Sequence, residues 1–278
     1  MLASLATEYA FADRMEESNA WRHPVDVVAI VERAFDELPP VLPDHVGGTG
    51  PRTWLDETVL LGEDPQAIAD DLVDTLEQGT SIEAVAAAVV RAAAVRIARF
   101  HTSNEFADWD AALHTFTFAN AVHQGVRRAP SSELVRGVFD AAMSVYLDRF
   151  LNVPPARLPE PDGAAEPEAL LAALPALLDH REQVNEAGEL VADYLAAGGD
   201  PLRLQAALGR ALLREDRDFH TIQCVEATFR QFRQSGDAIF PIAAARYLAA
   251  HAPTVRAQNQ TFHIARRLHR GEKLYEDG

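Results

Sequence analysis

The sequence predicts an all-α protein, a multi-helix bundle, on three observations. Strand signals are nearly absent, because runs of alternating β-branched residues do not occur. Ala, Leu and Val instead recur at three- and four-residue spacings, which is typical of amphipathic helices. Helix ends are also marked, since Ser81 and Asp200 are good N-caps and Gly79, Gly198 and Gly199 follow predicted helices.

Two stretches rich in proline and glycine interrupt this pattern. Residues 38–54 and 152–168 are predicted to be irregular connections, and the second is the clearer linker. We therefore predict an N-terminal helical and irregular segment over 1–64, a first helical half over 65–158 and a second half over 159–278, with the halves in one compact unit. The predicted helices are 67–78, 82–101, 107–127, 132–151, 166–197, 202–215, 219–234, 238–251 and 254–270.

The composition of the 278 residues excludes several classes of protein and site. The formal net charge of −17 argues against nucleic-acid binding and against an anionic membrane surface, because both need a basic face. The one cysteine, Cys224, excludes a disulfide framework and a metal site made of cysteines alone. No run approaches the roughly 20 apolar residues of a membrane helix, and the first residues lack a signal-peptide pattern. We therefore expect a cytoplasmic protein.

The two halves align with each other, which predicts an internal duplication about a pseudo-two-fold axis. At an offset of 119 residues, 72–102 lies over 191–221 without a gap, and His101 lies over His220. The halves then share a Gly break, an N-cap, an Arg and the triplet Phe-His-Thr. Such features are harder to match by chance than alanines.

A second register is also open. It places 110–128 over 216–234, so that His114 lies over His220. Each half then carries the pattern Asp-x-x-x-His-Thr. The sequence does not decide between His101 and His114 as the counterpart of His220.

The Asp-x-x-x-His pattern carries the catalytic hypothesis. A spacing of four puts Asp110 and His114 one turn apart on one helical face, and the same holds for Asp216 and His220. Each carboxylate can hold one imidazole nitrogen and leave the other as a base or metal ligand. The spacing is equally that of an ordinary stabilising helix pair. We favour the catalytic interpretation, because two such elements facing each other across a pseudo-two-fold axis converge on one cavity.

Other polar residues of the first half have simpler interpretations. Thr102 and Glu105 fit a capping box, which leaves His101 at a helix junction and open to a functional role. His123 comes nine residues after the first predicted catalytic histidine, so it is half a turn out of phase with it. We predict a polar packing or surface position for His123, on one stripe with Asn120, and keep both residues as reserve candidates for a functional role.

In the second half, Glu226 precedes Arg230 by four residues, and an ion pair is predicted unless a metal is present. Cys224 is predicted to be a buried free thiol. The candidate metal ligands are His101, His114, His220 and Glu226. The aromatic residues predicted to be core are Trp109, Phe116, Phe118, Phe219 and Phe229.

Three strings resemble the helical domain of bacterial Rieske (2Fe-2S) domain-containing proteins. They are SNEFADWDAALHTFTFANAVHQGVRRAPSSELVRGVFDAAMSVYLDRFLNVPPARLP, LLREDRDFHTIQCVEATFRQF and AARYLAAHAPT, and the resemblance covers roughly residues 65–275. A Rieske centre needs two Cys and two His, which one cysteine cannot supply. The resemblance therefore implies a helical partner without the iron–sulfur module, with a Rieske-type ferredoxin as electron donor in trans.

The strings LHTFTFANAV and DFHTIQCVEATF also resemble His-containing helices of the questin oxidase-like family, which implies cofactor-free oxygenation. We therefore predict an oxidoreductase, an oxygenase acting on a small organic molecule between the two halves. Two mechanisms stay open: non-haem iron held by imidazole and carboxylate ligands, or histidines acting as general bases on a substrate that reacts with oxygen directly. The alternative is a non-enzymatic helical scaffold or partner-binding protein with core histidines.

Overall fold

A computed structural model describes residues 25–38, 57–214, 219–254 and 260–272, and all regular structure within them is helical. The all-α prediction is confirmed. The twelve described α-helices are α1 Val27–Glu37, α2 Glu57–Leu60, α3 Pro65–Glu77, α4 Ile82–Ala98, α5 Phe106–Arg128, α6 Ser132–Leu147, α7 Pro167–Leu178, α8 Val184–Ala196, α9 Pro201–Arg214, α10 Phe219–Ser235, α11 Ile239–Ala250 and α12 Gln260–His269. A 3-10 helix, Asp148–Asn152, directly follows α6.

The predicted caps begin and end helices as expected. The Ser81 hydroxyl accepts a hydrogen bond from the Ala84 amide at the start of α4, and the Asp200 carboxylate accepts one from the Leu202 amide at the start of α9. Gly79 and Gly198 follow α3 and α8 with φ angles of 88° and 79°. Glycine is suited to this left-handed conformation because it lacks a Cβ atom.

Several features of the helices differ from the predictions. Residues 166–197 form two helices, α7 and α8, because the chain turns at 179–183, where Glu182 has a φ of 65°. The capping box of α5 is made by Glu105 and Asp108, one turn later than predicted. Helices α1 and α2 were absent from the predicted set.

Other predicted segments are described only in part. The predicted linker before α7 is irregular over 153–166, as expected. Most of the predicted irregular stretch 38–54 lies outside the described residues, as do 255–259 of the last predicted helix.

Helices α4 and α11 occupy the centre of the bundle. α4 packs against α5, α6 and α11, and α11 also packs against α8 and α10. Every residue of α11 from Ile239 to Ala249 is buried, including one arginine. The apolar side chains of both halves form one continuous core.

The element bounds repeat at the predicted offset. Helix α8 begins and ends 119 residues after α3 (184 − 65 and 196 − 77), and α9 begins 119 residues after α4 (201 − 82). The duplication itself stays a prediction. Within the described ranges, every helix falls short of the length or the apolarity that a membrane crossing requires.

Candidate functional site

Helices α5 and α10 lie side by side and bring two of the predicted catalytic residues together. The ring centroids of His114 and His220 are 5.0 Å apart, with 47° between the ring planes. Further along, His123 contacts Gln231 and Gln124 contacts Gln234. Because residue numbers increase together in these three contacts, the helices run parallel. The neighbour of His220 is therefore His114, as in the second register.

One exposed aromatic side chain contacts the His114–His220 pair, and a second lies one turn away on α5. His114 is exposed and His220 is half-buried. The ring of Phe219 lies 3.9 Å from that of His220 and is 61% exposed, and Phe118, one turn after His114, is 40% exposed. The prediction that Phe118 and Phe219 are core residues was wrong, because both side chains are exposed to solvent.

The other aromatic predictions and the thiol prediction are confirmed. Trp109 and Phe116 are buried, and Phe229 is partly buried against the core. Cys224 is a buried free thiol whose pKa is raised by burial to about 12. The thiol is therefore protonated at neutral pH and is a poor nucleophile.

Asp110 has a different partner from the predicted one. Its carboxylate accepts a 2.6 Å hydrogen bond from the buried hydroxyl of Tyr247, and its Oδ1 atom lies 3.7 Å from Nε2 of His251. The rings of Tyr247 and His251 stack with centroids 4.1 Å apart. Asp110 thus connects α5 to the end of α11 through Tyr247 and His251. Asp216, the counterpart predicted for His220, lies outside the described residues.

The predicted metal ligands do not converge on one point. Within the described ranges, no group of three or more His, Cys, Asp or Glu side chains is placed to hold a metal ion. Glu226 forms the alternative ion pair predicted for it with Arg230. It lies six residues after His220, about 9 Å further along α10. The side chain of His101 bonds with Ser103 and lines a separate cavity.

His123 belongs to a buried polar network between α5 and α10. Its Nδ1 atom lies 3.0 Å from Nε2 of Gln231, which also donates a 2.8 Å hydrogen bond to Oδ1 of Asn120. The neighbouring amides of Gln124 and Gln234 are paired at 3.1 Å. Burial lowers the pKa of His123 below its ordinary value. The polar packing position predicted for His123 is confirmed.

Sequence reasoning missed Arg246, which lies on α11 and lines the same cavity as His101. Its side chain is 1% exposed. A signal was present, because Arg246 is the one charged residue in the otherwise apolar run from 238 to 250. A charge at a position whose neighbours are all core residues indicates a buried ion.

Comparisons with protein-family models, with curated proteins and with solved structures found no match to this chain. The two family resemblances of the sequence therefore stay predictions.

Proposed function

We propose that the chain is an oxidoreductase that adds molecular oxygen to a small organic molecule at the His114–His220 pair. The observation that carries this proposal is the approach of the two imidazole rings to 5.0 Å between parallel helices. Solvent reaches at least one of the rings, since His114 is exposed. A substrate can therefore contact an imidazole ring, the side chain that most often acts as a general acid or base in enzymes.

The proposed reaction is a base-assisted oxygenation of a C–H bond of the substrate. One imidazole takes a proton from an acidic C–H bond of the substrate, whose electron pair stays on carbon. That carbanion passes two electrons to oxygen in forming a C–O bond, and the resulting peroxide anion takes the proton from the imidazolium. The net reaction is R–H + O₂ → R–OOH. The second imidazole lies close enough to hydrogen-bond to the developing anion.

The exposed aromatic side chains favour a flat, apolar substrate. Phe219 lies against His220, and Phe118 lies one turn from His114. Aromatic surfaces of this kind stack on rings of small organic molecules. Substrates whose carbanion is stabilised by an adjacent aromatic ring and carbonyl group fit both the histidines and this surface.

Iron chemistry is not part of the proposed steps. The four residues predicted to bind non-haem iron do not form a ligand set within the described residues, since Glu226 pairs with Arg230 and His101 lies at another cavity. A Rieske-type ferredoxin belongs to that iron mechanism. The metal-free mechanism needs oxygen as its only oxidant and no electron donor.

The test compares matched His→Gln variants. Oxygen uptake is measured with an electrode on a panel of phenolic and enolisable aromatic compounds, together with the iron content of the purified protein. We expect uptake with at least one compound, and a loss of about 10²- to 10⁴-fold in H114Q and H220Q. The control is H180Q, the same substitution at an exposed histidine of the turn after α7.

Two results would overturn the proposal. One is oxygen uptake that survives in the H114Q/H220Q double variant. The other is stoichiometric iron that is lost in that variant together with activity, which would restore the metal mechanism.

A second candidate is a partner-binding scaffold, which is favoured by the exposed apolar side chains beside the pair. Phe118, Phe219 and Ile222 are 40%, 61% and 52% exposed. Apolar groups clustered on a surface often mark an interaction site. Sedimentation of the wild type and of F219S/I222S tests it: self-association that is lost in this variant but kept in H114Q/H220Q supports a scaffold.

A further inference from the structure

A cavity of about 340 Å³ lies away from the His114–His220 pair, between the loop that follows the 3-10 helix and helices α8 and α11. The residues that matter for its chemistry are His101, Arg157, Asn185, Glu189 and Arg246. Its volume is at the lower end of the roughly 300–1,000 Å³ of typical small-molecule sites. It is large enough for a small organic acid.

The guanidinium of Arg246 is the unusual group in the wall of this cavity. It is almost fully buried and donates 2.7 Å hydrogen bonds to two neutral oxygens, Oδ1 of Asn185 and the carbonyl of Phe100. Its Nε atom has no hydrogen-bond partner among the described residues. No described carboxylate forms an ion pair with it. Arg246 therefore keeps unused donors in a buried position.

The charge on Arg246 persists at neutral pH. Burial lowers its pKa to about 10, and the negative charges of Glu189 and Glu186 oppose that shift. A guanidinium with a pKa in this range is protonated at pH 7. A buried charge without a paired counter-charge is costly in free energy. A bound anion would supply the missing partner.

The packing around Arg246 is shaped to hold its side chain in this place. Gly188 of α8 faces its aliphatic stem, and a Cβ atom at 188 would lie only 2.9 Å from Cγ of Arg246. Because residue 188 has no side chain, the aliphatic stem of Arg246 can lie against the backbone of α8. Its guanidinium reaches the cavity because of this gap.

The remaining wall residues define the class of ligand. Arg157 adds a second positive charge and Glu189 one negative charge, which leaves one net positive charge together with Arg246. His101 accepts a hydrogen bond from the Ser103 amide at Nδ1, so its Nε2 atom carries a proton and is a further donor. Pro154, Pro155 and Pro159 supply apolar surface.

We propose that this cavity binds a small organic monocarboxylate, whose carboxylate pairs with Arg246 and whose apolar body packs against the three prolines. Guanidinium and carboxylate match in shape and charge, and such pairs are among the stronger hydrogen-bonded contacts in proteins. The site is separate from the proposed catalytic pair, and its test does not depend on oxygen uptake.

Calorimetric titration of the full chain tests this with benzoate as the probe. Benzamide, which has the same shape without the charge, and inorganic phosphate are the comparisons. We expect benzoate to bind with a Kd below roughly 1 mM and benzamide to bind at least about tenfold more weakly. Failure of benzoate to bind, equal binding of benzamide, or binding of phosphate in place of benzoate would each overturn the proposal.

A near-isosteric variant separates binding from folding. N185D puts a carboxylate where an amide oxygen now accepts from Arg246, so it supplies the counter-charge from within the protein. We expect the melting temperature to hold or rise and the affinity for benzoate to fall at least about tenfold. Q78E makes the same change of charge at an exposed position at the end of α3, and we expect its affinity to match the wild type.

Removal of the competing charge gives the opposite effect. Glu189 is exposed, so E189Q is expected to fold normally and to bind benzoate about two- to fivefold more tightly, as the cavity gains net positive charge. Unchanged affinity in N185D, with the fold intact, would show that benzoate does not pair with Arg246.

Discussion

His114 and His123 lie nine residues apart on helix α5, and both contact α10, yet they are in different environments. His114 is exposed and lies against another imidazole ring. His123 is 4% exposed and is bonded to Gln231 within a buried amide network. About 13 Å of helix separates them.

The difference shows what helical phase predicts and what it does not. Phase correctly indicated that the two histidines do not share one site. It did not indicate that both histidines would contact the same neighbouring helix. In the structure α5 and α10 run parallel and remain in contact over more than two turns. Burial separates the two environments: the buried His123 is bonded within the network that joins the helices, and His114 is exposed to solvent.

The largest expected difference between these regions is in stability. H123A removes a buried side chain and leaves Gln231 with one partner fewer, so we expect it to lower the free energy of unfolding by about 2–4 kcal/mol. H114A makes the same substitution at an exposed position of the same helix, and we expect a change within about 0.5 kcal/mol. Urea denaturation measures both, and equal losses would contradict the division into a structural and a functional histidine.

A smaller effect concerns pH. Burial, the largest cause, and the charge of Arg127 lower the pKa of His123 below 6.5, whereas hydrogen bonding to the side-chain oxygen of Gln231 and the charge of Glu83 oppose this. Below pH 6.5 the imidazole of His123 takes up a proton more readily in the unfolded chain than in the folded chain. The free energy of unfolding therefore decreases as the pH is lowered through this range. Above pH 6.5 the full contribution of His123 to the free energy of unfolding is present.

The variant H123Q tests this linkage because glutamine keeps hydrogen-bonding groups and does not titrate. We expect the loss of unfolding free energy below pH 6.5 to be shallower in H123Q than in the wild type. Identical pH dependence in the two proteins would show that His123 titrates alike in the folded and unfolded chains.

The smallest effect is expected at the outer end of the buried network. Gln124 is 8% exposed and Gln234 is exposed, and their amides pair in both directions at 3.1 Å. A double-mutant cycle with Q124A and Q234A should give a coupling energy of about 0.5–1 kcal/mol. A coupling near zero would indicate that the stabilising network ends at Gln231.

Much of the fold could be predicted from the sequence because its signals are local. Apolar spacing located most helices, and N-caps and glycines marked their ends. The break between α7 and α8 was missed, since neither Gly nor Pro lies at 179–183 and the turn uses a glutamate with a positive φ angle. The sequence around Glu182 does not indicate that this residue adopts a positive φ angle.

The sites were predictable only in part. Comparison of the two halves offered His101 and His114 as counterparts of His220, and the structure places His114 beside it. The partners of Asp110 could not be found in this way, because Tyr247 and His251 come from α11 and its end, and no spacing rule connects them to α5. Arg246 was recognisable as a buried charge from its apolar neighbours in the sequence. The cavity that it lines was not, because that cavity depends on how three separate segments pack.

The contact between Gly188 and Arg246 also limits how this sequence can change over time. A methyl group at 188 would lie 2.9 Å from Cγ and 3.2 Å from Cδ of the buried Arg246, so the stem of the arginine would have to move. A larger residue at 188 therefore becomes acceptable only after Arg246 has been shortened. The space available therefore fixes the order of the two substitutions: Arg246 is shortened before residue 188 is enlarged, and on the way back glycine precedes arginine.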